Sequence, residues 1–245
     1  MGKASLYKIN QDYYDKIWSH SKLMRHDEWP VWSLLRLDAR PGLRMLELGP
    51  GMRPKIPVKG SWFIEASGPP RESLERQGGR ILRPWEGLLL KKDFFDVVCA
   101  FEVLEHIKND AKLLNEINLS MKKNGKLFIS VPIFKKYWTD WDRIVGHYRR
   151  YLPKELGSLL TKTGFEIECY AEDFFARAYT GKISQKMAKL FFKAVPGLSL
   201  CLESYIIRIL CWYARNFSPL KWKKGSLEEI PASWVGVYVV CRKIK

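Results

Sequence analysis

Met45-Leu-Glu-Leu-Gly-Pro-Gly51 is an apolar run broken by one acid and closed by two glycines. The run predicts a buried strand, and the glycines behind it allow a sharp turn with backbone N–H groups brought close to a ligand. A Cβ at position 49 or 51 would obstruct the strand exit or the bound group. Two features further along strengthen this reading. Trp62-Phe-Ile-Glu65 is a second short strand with an acidic end, and Phe95-Asp-Val-Val-Cys-Ala-Phe-Glu-Val-Leu-Glu-His106 is another apolar run that ends in acids and a histidine.

Outward from this stretch, strands are predicted over 43–48, 61–65, 80–83, 96–101, 165–170 and 234–242, and the apolar character of the first four suits a parallel sheet. Residues 10–38 predict helix, with Tyr13, Ile17 and Trp18 at helical spacing, then Val31, Leu34 and Leu35 after a cap at Asp27. A helix over 110–122 buries Leu113, Leu114, Ile117 and Met121 and stops at Asn124-Gly125. Pro153 at a first helical position, Leu156, Leu159 and Leu160 on one face, and Gly164 as stop define another.

The combination of glycine loop, acidic second strand and Glu-Val-Leu-Glu-His resembles the class I S-adenosylmethionine-dependent methyltransferases, in the group that acts on small molecules and lipids. Met121-Lys-Lys-Asn-Gly-Lys-Leu-Phe-Ile-Ser-Val-Pro132 and Gly146-His-Tyr-Arg-Arg-Tyr-Leu-Pro-Lys-Glu-Leu156, followed by Thr163-Gly-Phe165, are similar to further pieces of that family. The resemblance spans 42–171 and 232–245. It implies a Rossmann-like α/β fold: a seven-stranded, mostly parallel sheet whose last strand is antiparallel, with helices on both faces. Residues 1–41 would be a helical cap over the cofactor, and 172–231 a helical insertion between the last two strands, far longer than an ordinary connection.

The resemblance also implies roles. Glu47, Gly49 and Gly51 belong to the loop whose N–H groups hold the methionine moiety of S-adenosylmethionine, and Glu65 stands where a carboxylate accepts both ribose hydroxyls. Two departures matter. Pro54 and Pro57 break any helix after the loop, so Arg53 is expected to pair with the methionine carboxylate instead. Where the family commonly sets an Asp against the adenine amine, this chain has Arg83-Pro-Trp-Glu86, and Trp85 is expected to stack on the base with Glu86 accepting from its amine. Phe101 and Glu102 end a strand at the crevice where open α/β sheets bind ligands. Glu105 and His106 read as capping and local hydrogen bonding. A nicotinamide site is excluded, since its pattern needs a third glycine and a helix directly after the loop.

Acceptor chemistry falls to Asp140-Trp-Asp-Arg-Ile-Val-Gly-His-Tyr-Arg-Arg-Tyr151. His147 is suited to general-base work on a hydroxyl, Asp142 to orienting it, and Tyr148, Arg149 and Arg150 to binding the acceptor. The alternative role of His147, Arg149 and Tyr151 is to hold this loop to the sheet.

Among 245 residues, 47% are hydrophobic and 28% charged, so the chain can bury a real core. Five scattered cysteines, without Cys-x-x-Cys or a Cys/His cluster, predict neither a disulfide framework nor a metal site and suit a reducing cytoplasm. No signal-peptide or myristoylation pattern opens the chain. The formal charge of +16 asks for an acidic partner. Ten Lys/Arg against one acid, Glu203, lie between Arg177 and Lys224, among the apolar runs 187–195 and 198–214. The second run is too short and too interrupted for a transmembrane span. Basic residues beside apolar faces point to helices at an anionic membrane surface or over a greasy pocket, with a plain helical pair packed on the domain as the alternative. The expected enzyme therefore methylates a small or lipid-like acceptor at oxygen. An RNA methyltransferase and a non-catalytic protein that keeps the fold are the competing readings.

Overall fold

The computed structural model describes residues 14–40, 42–82, 91–173, 196–217 and 219–244, with side chains of the last helix described from Tyr205 onward. Strands β1 (Met45–Leu48), β2 (Trp62–Ile64), β3 (Arg80–Leu82), β4 (Phe95–Phe101), β5 (Met121–Pro132), β6 (Phe165–Glu172) and β7 (Gly236–Lys243) form one sheet in the order β3-β2-β1-β4-β5-β7-β6. All neighbours are parallel except β7, which runs antiparallel to both β5 and β6. This is the Rossmann-like sheet expected. The chain moves outward from β1 to β3 and returns to β4 on the other side of β1, so the carboxyl ends of β1 and β4 flank the reversal of strand order, where such sheets bind ligands.

Helices α1 (Trp32–Asp38), α2 (Gly68–Arg76), α3 (Asp110–Ser120), α4 (Asp140–Val145), α5 (Pro153–Lys162) and α6 (Pro196–Phe217) complete the described elements, with four short 3-10 turns. The period-2 alternation of the strands feeds two cores. Leu46, Leu48, Val98, Ala100, Leu127 and Ile129 meet Leu114, Ile117, Leu156 and Leu160 of α3 and α5 on one face. Met45, Val97, Cys99, Phe128 and Tyr238 meet Leu35, Leu74, Ile207 and Cys211 of α1, α2 and α6 on the other. Each fully buried leucine contributes about 1.5–3 kcal/mol of transfer free energy, and truncating one such as Leu114 to alanine costs about 2–5 kcal/mol.

The structure departs from the sequence expectations in three places. The expected 10–38 helix is broken, among the described residues, into a helical stretch over 14–19, a 3-10 turn His26–Glu28 and α1. Between them the chain is drawn across the glycine loop, where Met24 N donates to Met52 O at 2.9 Å. Val31, not Asp27, stands at the N-cap of α1. Second, α3 ends at Ser120 and Met121 already pairs with Phe95; a register shift between Phe95 and Val97 absorbs Asn124, whose φ of +63° is left-handed. Third, part of 172–231 belongs to the core. Tyr170 and Lys223 exchange backbone hydrogen bonds of 2.9 and 2.8 Å, and Leu227 of a 3-10 turn is buried in the cluster that includes α5. The apolar run 187–195 lies outside the described residues.

α6 buries Ile207, Cys211 and Ala214 against the core. Its Arg208 donates to both carboxylate oxygens of Glu28 at 3.0 and 3.1 Å, and Arg215 to Asp27 O at 2.7 Å. The opposite face is bare: Tyr205, Ile206, Ile209, Trp212, Tyr213 and Phe217 are 48–65% exposed. No helix among the described residues is long and apolar enough to cross a membrane.

Candidate active site

The glycine loop is built as its sequence required. Gly49 and Gly51 have φ of +59° and +55°, a region costly for residues with a Cβ. Gly49 N donates to Ile64 O at 2.8 Å, tying the exit of β1 to that of β2. Glu65 then locks the loop: its two carboxylate oxygens accept from Gly51 N and Ser67 N, both at 2.8 Å. With backbone donors at Gly51, Ser67 and Ala66, the carboxylate's four lone pairs still leave room for a further donor. Glu47 points to the other side of β1, where its Oε2 accepts from Lys55 N at 2.9 Å and Ile56 N at 3.3 Å. Burial pushes the Glu47 carboxyl up to about 7 against the pull of Lys55. Burial raises Glu65 too, opposed by its backbone donors. Pro54 and Pro57 have their expected effect, since residues 50–60 form turns and no helix separates β1 from β2.

Two aromatic rings roof this loop. A Cβ on Gly51 would come within 2.4 Å of the Trp18 ring, so the indole lies directly on the loop backbone. Trp18 stacks on Tyr14 at 6.5 Å, and the Arg53 guanidinium lies 5.0 Å from the Trp18 centroid. Lys55 sits over Trp29 at 4.3 Å and Phe101 at 5.4 Å. Burial lowers its pKa, partly offset by Glu47.

The end of β4 is a second polar centre. Glu102 has a φ of +53°, unusual for a residue with a side chain, and this bend folds its carboxyl back onto β5, where Ser130 Oγ donates to Oε1 at 2.8 Å. The next turn, Leu104–His106, carries Glu105 and His106. Glu105 is fully buried, and its carboxyl lies against that of Glu102 with no donor in good hydrogen-bond geometry on either oxygen. Burial, then the Glu102 charge, pushes it well above the usual carboxylate range, and Glu102, although exposed at the end of β4, is raised as well by lost hydration and the Asp173 charge. Burial and His147 push His106 down to about 3, which leaves its imidazole neutral near pH 7.

The segment after β5 closes over this centre. Thr139 caps α4 with reciprocal bonds to Asp142, and Gly146 ends it in the left-handed region at φ +83°. That turn aims His147 back: its Nδ1 lies 2.9 Å from Asp142 Oδ1 and its Nε2 3.7 Å from Glu105 Oε1. Asp142 also accepts from Arg150 Nε at 2.8 Å and Nη2 at 3.1 Å. Although burial opposes it, these partners hold the Asp142 carboxyl well below its ordinary range. Arg149 is engaged elsewhere, pairing with Asp110 and donating to Lys108 O at 2.7 Å, while Tyr151 donates to Asp110 at 2.8 Å.

The structure thus gathers Glu47, Gly49, Gly51, Arg53, Glu65 and Phe101 around the loop, and Glu102, Asp142, His147 and Arg150 around the end of β4. Arg149 anchors the loop to α3, Arg150 braces Asp142, and Tyr148 is exposed. Trp85 and Glu86 lie outside the described residues. Sequence reasoning took Glu105 and His106 for local caps because their partner, His147, is distant in the chain. The rings of His106 and His147 meet edge to face at 4.5 Å.

A family model described as a methyltransferase domain matches residues 33–170. No curated protein sequence matches the chain. Among solved structures, an S-adenosylmethionine-dependent methyltransferase from Thermotoga maritima is 18% identical over 89% of this chain and 91% of its own, with a TM-score of 0.55. The [4+2]-cyclase SpnF is 16% identical over 87% and 80%, with a TM-score of 0.54. A phosphoethanolamine N-methyltransferase 2 from Haemonchus contortus, in complex with S-adenosyl-L-methionine, is 16% identical over 87% of this chain but 52% of its own, with a TM-score of 0.52. These likenesses establish the fold, whose cofactor is S-adenosylmethionine.

Proposed function

The chain belongs to the methyltransferase-domain family, and on that premise we propose that it transfers the methyl group of S-adenosylmethionine to a hydroxyl of a small or lipid-like acceptor. The observation that carries the cofactor assignment is the Glu65–Gly51 hydrogen bond, which couples a ribose-binding carboxylate to the loop that would hold the methionine moiety. Trp18 and Tyr14 would close over the bound nucleoside, and Arg53 would leave the Trp18 face for the methionine carboxylate.

In the transfer, the acceptor oxygen attacks the methyl carbon, the carbon–sulfur bond breaks and S-adenosylhomocysteine leaves as a neutral thioether. The acceptor proton goes to the centre at the end of β4, where we place His147 as base and Asp142 as the residue that orients it. In-line displacement needs alignment and exclusion of water, and residues 139–151 supply a cover. Tyr148, exposed on that cover, would meet the acceptor.

We further assign the bare face of α6 to an anionic lipid surface. Its aromatic and aliphatic residues recur at 205, 206, 209, 212, 213 and 217, on the side away from the core, in a stretch of the chain rich in Lys and Arg. Calorimetry with S-adenosylmethionine tests the cofactor reading: Glu65→Ala should weaken binding by at least about tenfold. A folded natural chain that binds no cofactor overturns the enzyme assignment. Co-sedimentation with phosphatidylserine vesicles tests the surface separately, since Ile209→Ser/Trp212→Ser should abolish it without touching cofactor affinity.

A further inference from the structure

Glu105, His106 and His147 each offer one ligand atom, and these atoms lie within 4.8 Å of one another. Two of the separations are 3.9 Å, from His106 Nε2 to Glu105 Oε1, and 3.7 Å, from His147 Nε2 to the same oxygen. Three ligands bound at ordinary metal distances around a tetrahedral centre stand about 3.4 Å apart, so small rotations of the side chains would complete the geometry. The second observation is independent of spacing. Glu105 is 0% exposed, and its carboxyl lies against that of Glu102 with no donor in good hydrogen-bond geometry on either oxygen, an arrangement that is costly unless something else meets the group. The surroundings are arranged around that gap. Asp142 holds His147 through Nδ1, which leaves Nε2 facing Glu105, and a carboxylate behind an imidazole is the outer support that metal-binding histidines use. Glu102 accepts from Ser130 through Oε1 and lies against Glu105. The His106 side chain, 23% exposed, opens a way in.

We propose that Glu105, His106 and His147 form a binding site for one divalent cation, with Glu102 at its rim and Asp142 as positioning residue for His147. Two imidazoles beside carboxylates select a first-row transition ion such as Mn²⁺, Fe²⁺ or Zn²⁺ over Mg²⁺ or Ca²⁺, which prefer all-oxygen sets. Binding of the cation stands on the cluster alone; its use rests on the methyl-transfer reading. The ion would bind the acceptor oxygen and lower its pKa, so that the hydroxyl proton passes to solvent before the oxygen attacks the methyl carbon; His147 would be a ligand of the cation-loaded enzyme, and its role as base belongs to the cation-free one. The competing solution for facing carboxyls is a shared proton between Glu102 and Glu105.

Mn²⁺ titration of the metal-stripped full chain, followed by the electron paramagnetic resonance signal of free Mn²⁺, tests the site. The natural chain should take up one equivalent. Glu105→Gln, nearly isosteric, and His106→Ala should each weaken uptake by at least about tenfold, and the far-ultraviolet circular dichroism of both variants should match that of the natural chain, which certifies their fold. A natural chain that takes up neither Mn²⁺ nor Zn²⁺ overturns the proposal in favour of the shared proton. Uptake that survives both substitutions overturns it as binding elsewhere. Metal uptake without cofactor binding would leave the site standing and remove the methyl-transfer reading.

Discussion

The two halves of the sheet's carboxyl edge bury their acids in opposite ways. At the ends of β1 and β2, Glu47 and Glu65 are met by backbone N–H groups from the loop and turns that follow, so a few residues of local chain satisfy each carboxylate. At the end of β4, Asp142 is met mostly by side chains, and Glu105 by the neighbouring Glu102 carboxyl with no donor in good geometry. Backbone donors are fixed by the fold and do not titrate, which suits the half proposed to hold the cofactor. Side-chain partners can shift, exchange protons or take a cation, which suits the half assigned to chemistry.

This contrast can be broken at several points. The largest effect is expected from Asp142→Ala, which strands the Arg150 guanidinium in the interior. Breaking a buried pair from one side costs about 3–5 kcal/mol, and urea unfolding at pH 7 should show a loss of that order, with Asp142→Asn losing less. A small change would mean that the cover of residues 139–151 stands without its charge pairing.

Next is a pH effect on the backbone-held half. Burial raises Glu47 from 4.5 to about 7 in the folded chain. Between those values the folded state holds a proton that the unfolded chain has released, so stability falls as pH rises across the window, by at most about 3 kcal/mol from this group. The buried Glu65 and Glu105 act in the same direction. Unfolding free energies at pH 5 and pH 7.5 should therefore differ less in Glu47→Gln than in the natural chain, and an unaltered difference would remove Glu47 as a contributor.

Gly51→Ala is expected to cost about 1–2 kcal/mol from its left-handed φ alone, and more because the new Cβ meets Trp18 at 2.4 Å. A double-mutant cycle with Trp18→Ala separates the two, since removing the indole should recover the steric part only. The smallest stability effect belongs to α6. Ile209→Ser/Trp212→Ser should change unfolding free energy by no more than about 0.5 kcal/mol, as for other exposed positions, while vesicle binding is lost. A large destabilisation would show that this face is covered in solution.

Much of the first half was legible in the sequence because its determinants are local. Gly49 and Gly51 announce a turn that only glycine makes cheaply, and the acids that serve it sit at strand ends marked by apolar runs. Pro54 and Pro57 foretold the missing helix. The second half was hidden for a physical reason. His147 reaches Glu105 only because Gly146 reverses the chain after α4 and because β4 and β5 are neighbours, and neither relation leaves a short-range pattern. The N-terminal helix was overextended since helical spacing cannot register the pull of Met52 O on Met24 N.

The sequence by itself determined the apolar strands, the glycine turn with its acids and the helices after β4 and β5, because burial period and backbone freedom are properties of adjacent residues. Only the tertiary structure decided which acids found partners. That depends on the order β3-β2-β1-β4-β5-β7-β6, which sets Glu102 beside Ser130 and Glu105 beside His147, and on the seating of α6, which buries Cys211 and leaves Trp212 in solvent. Contacts between distant segments are set by packing the whole chain at once, and no window of sequence contains them.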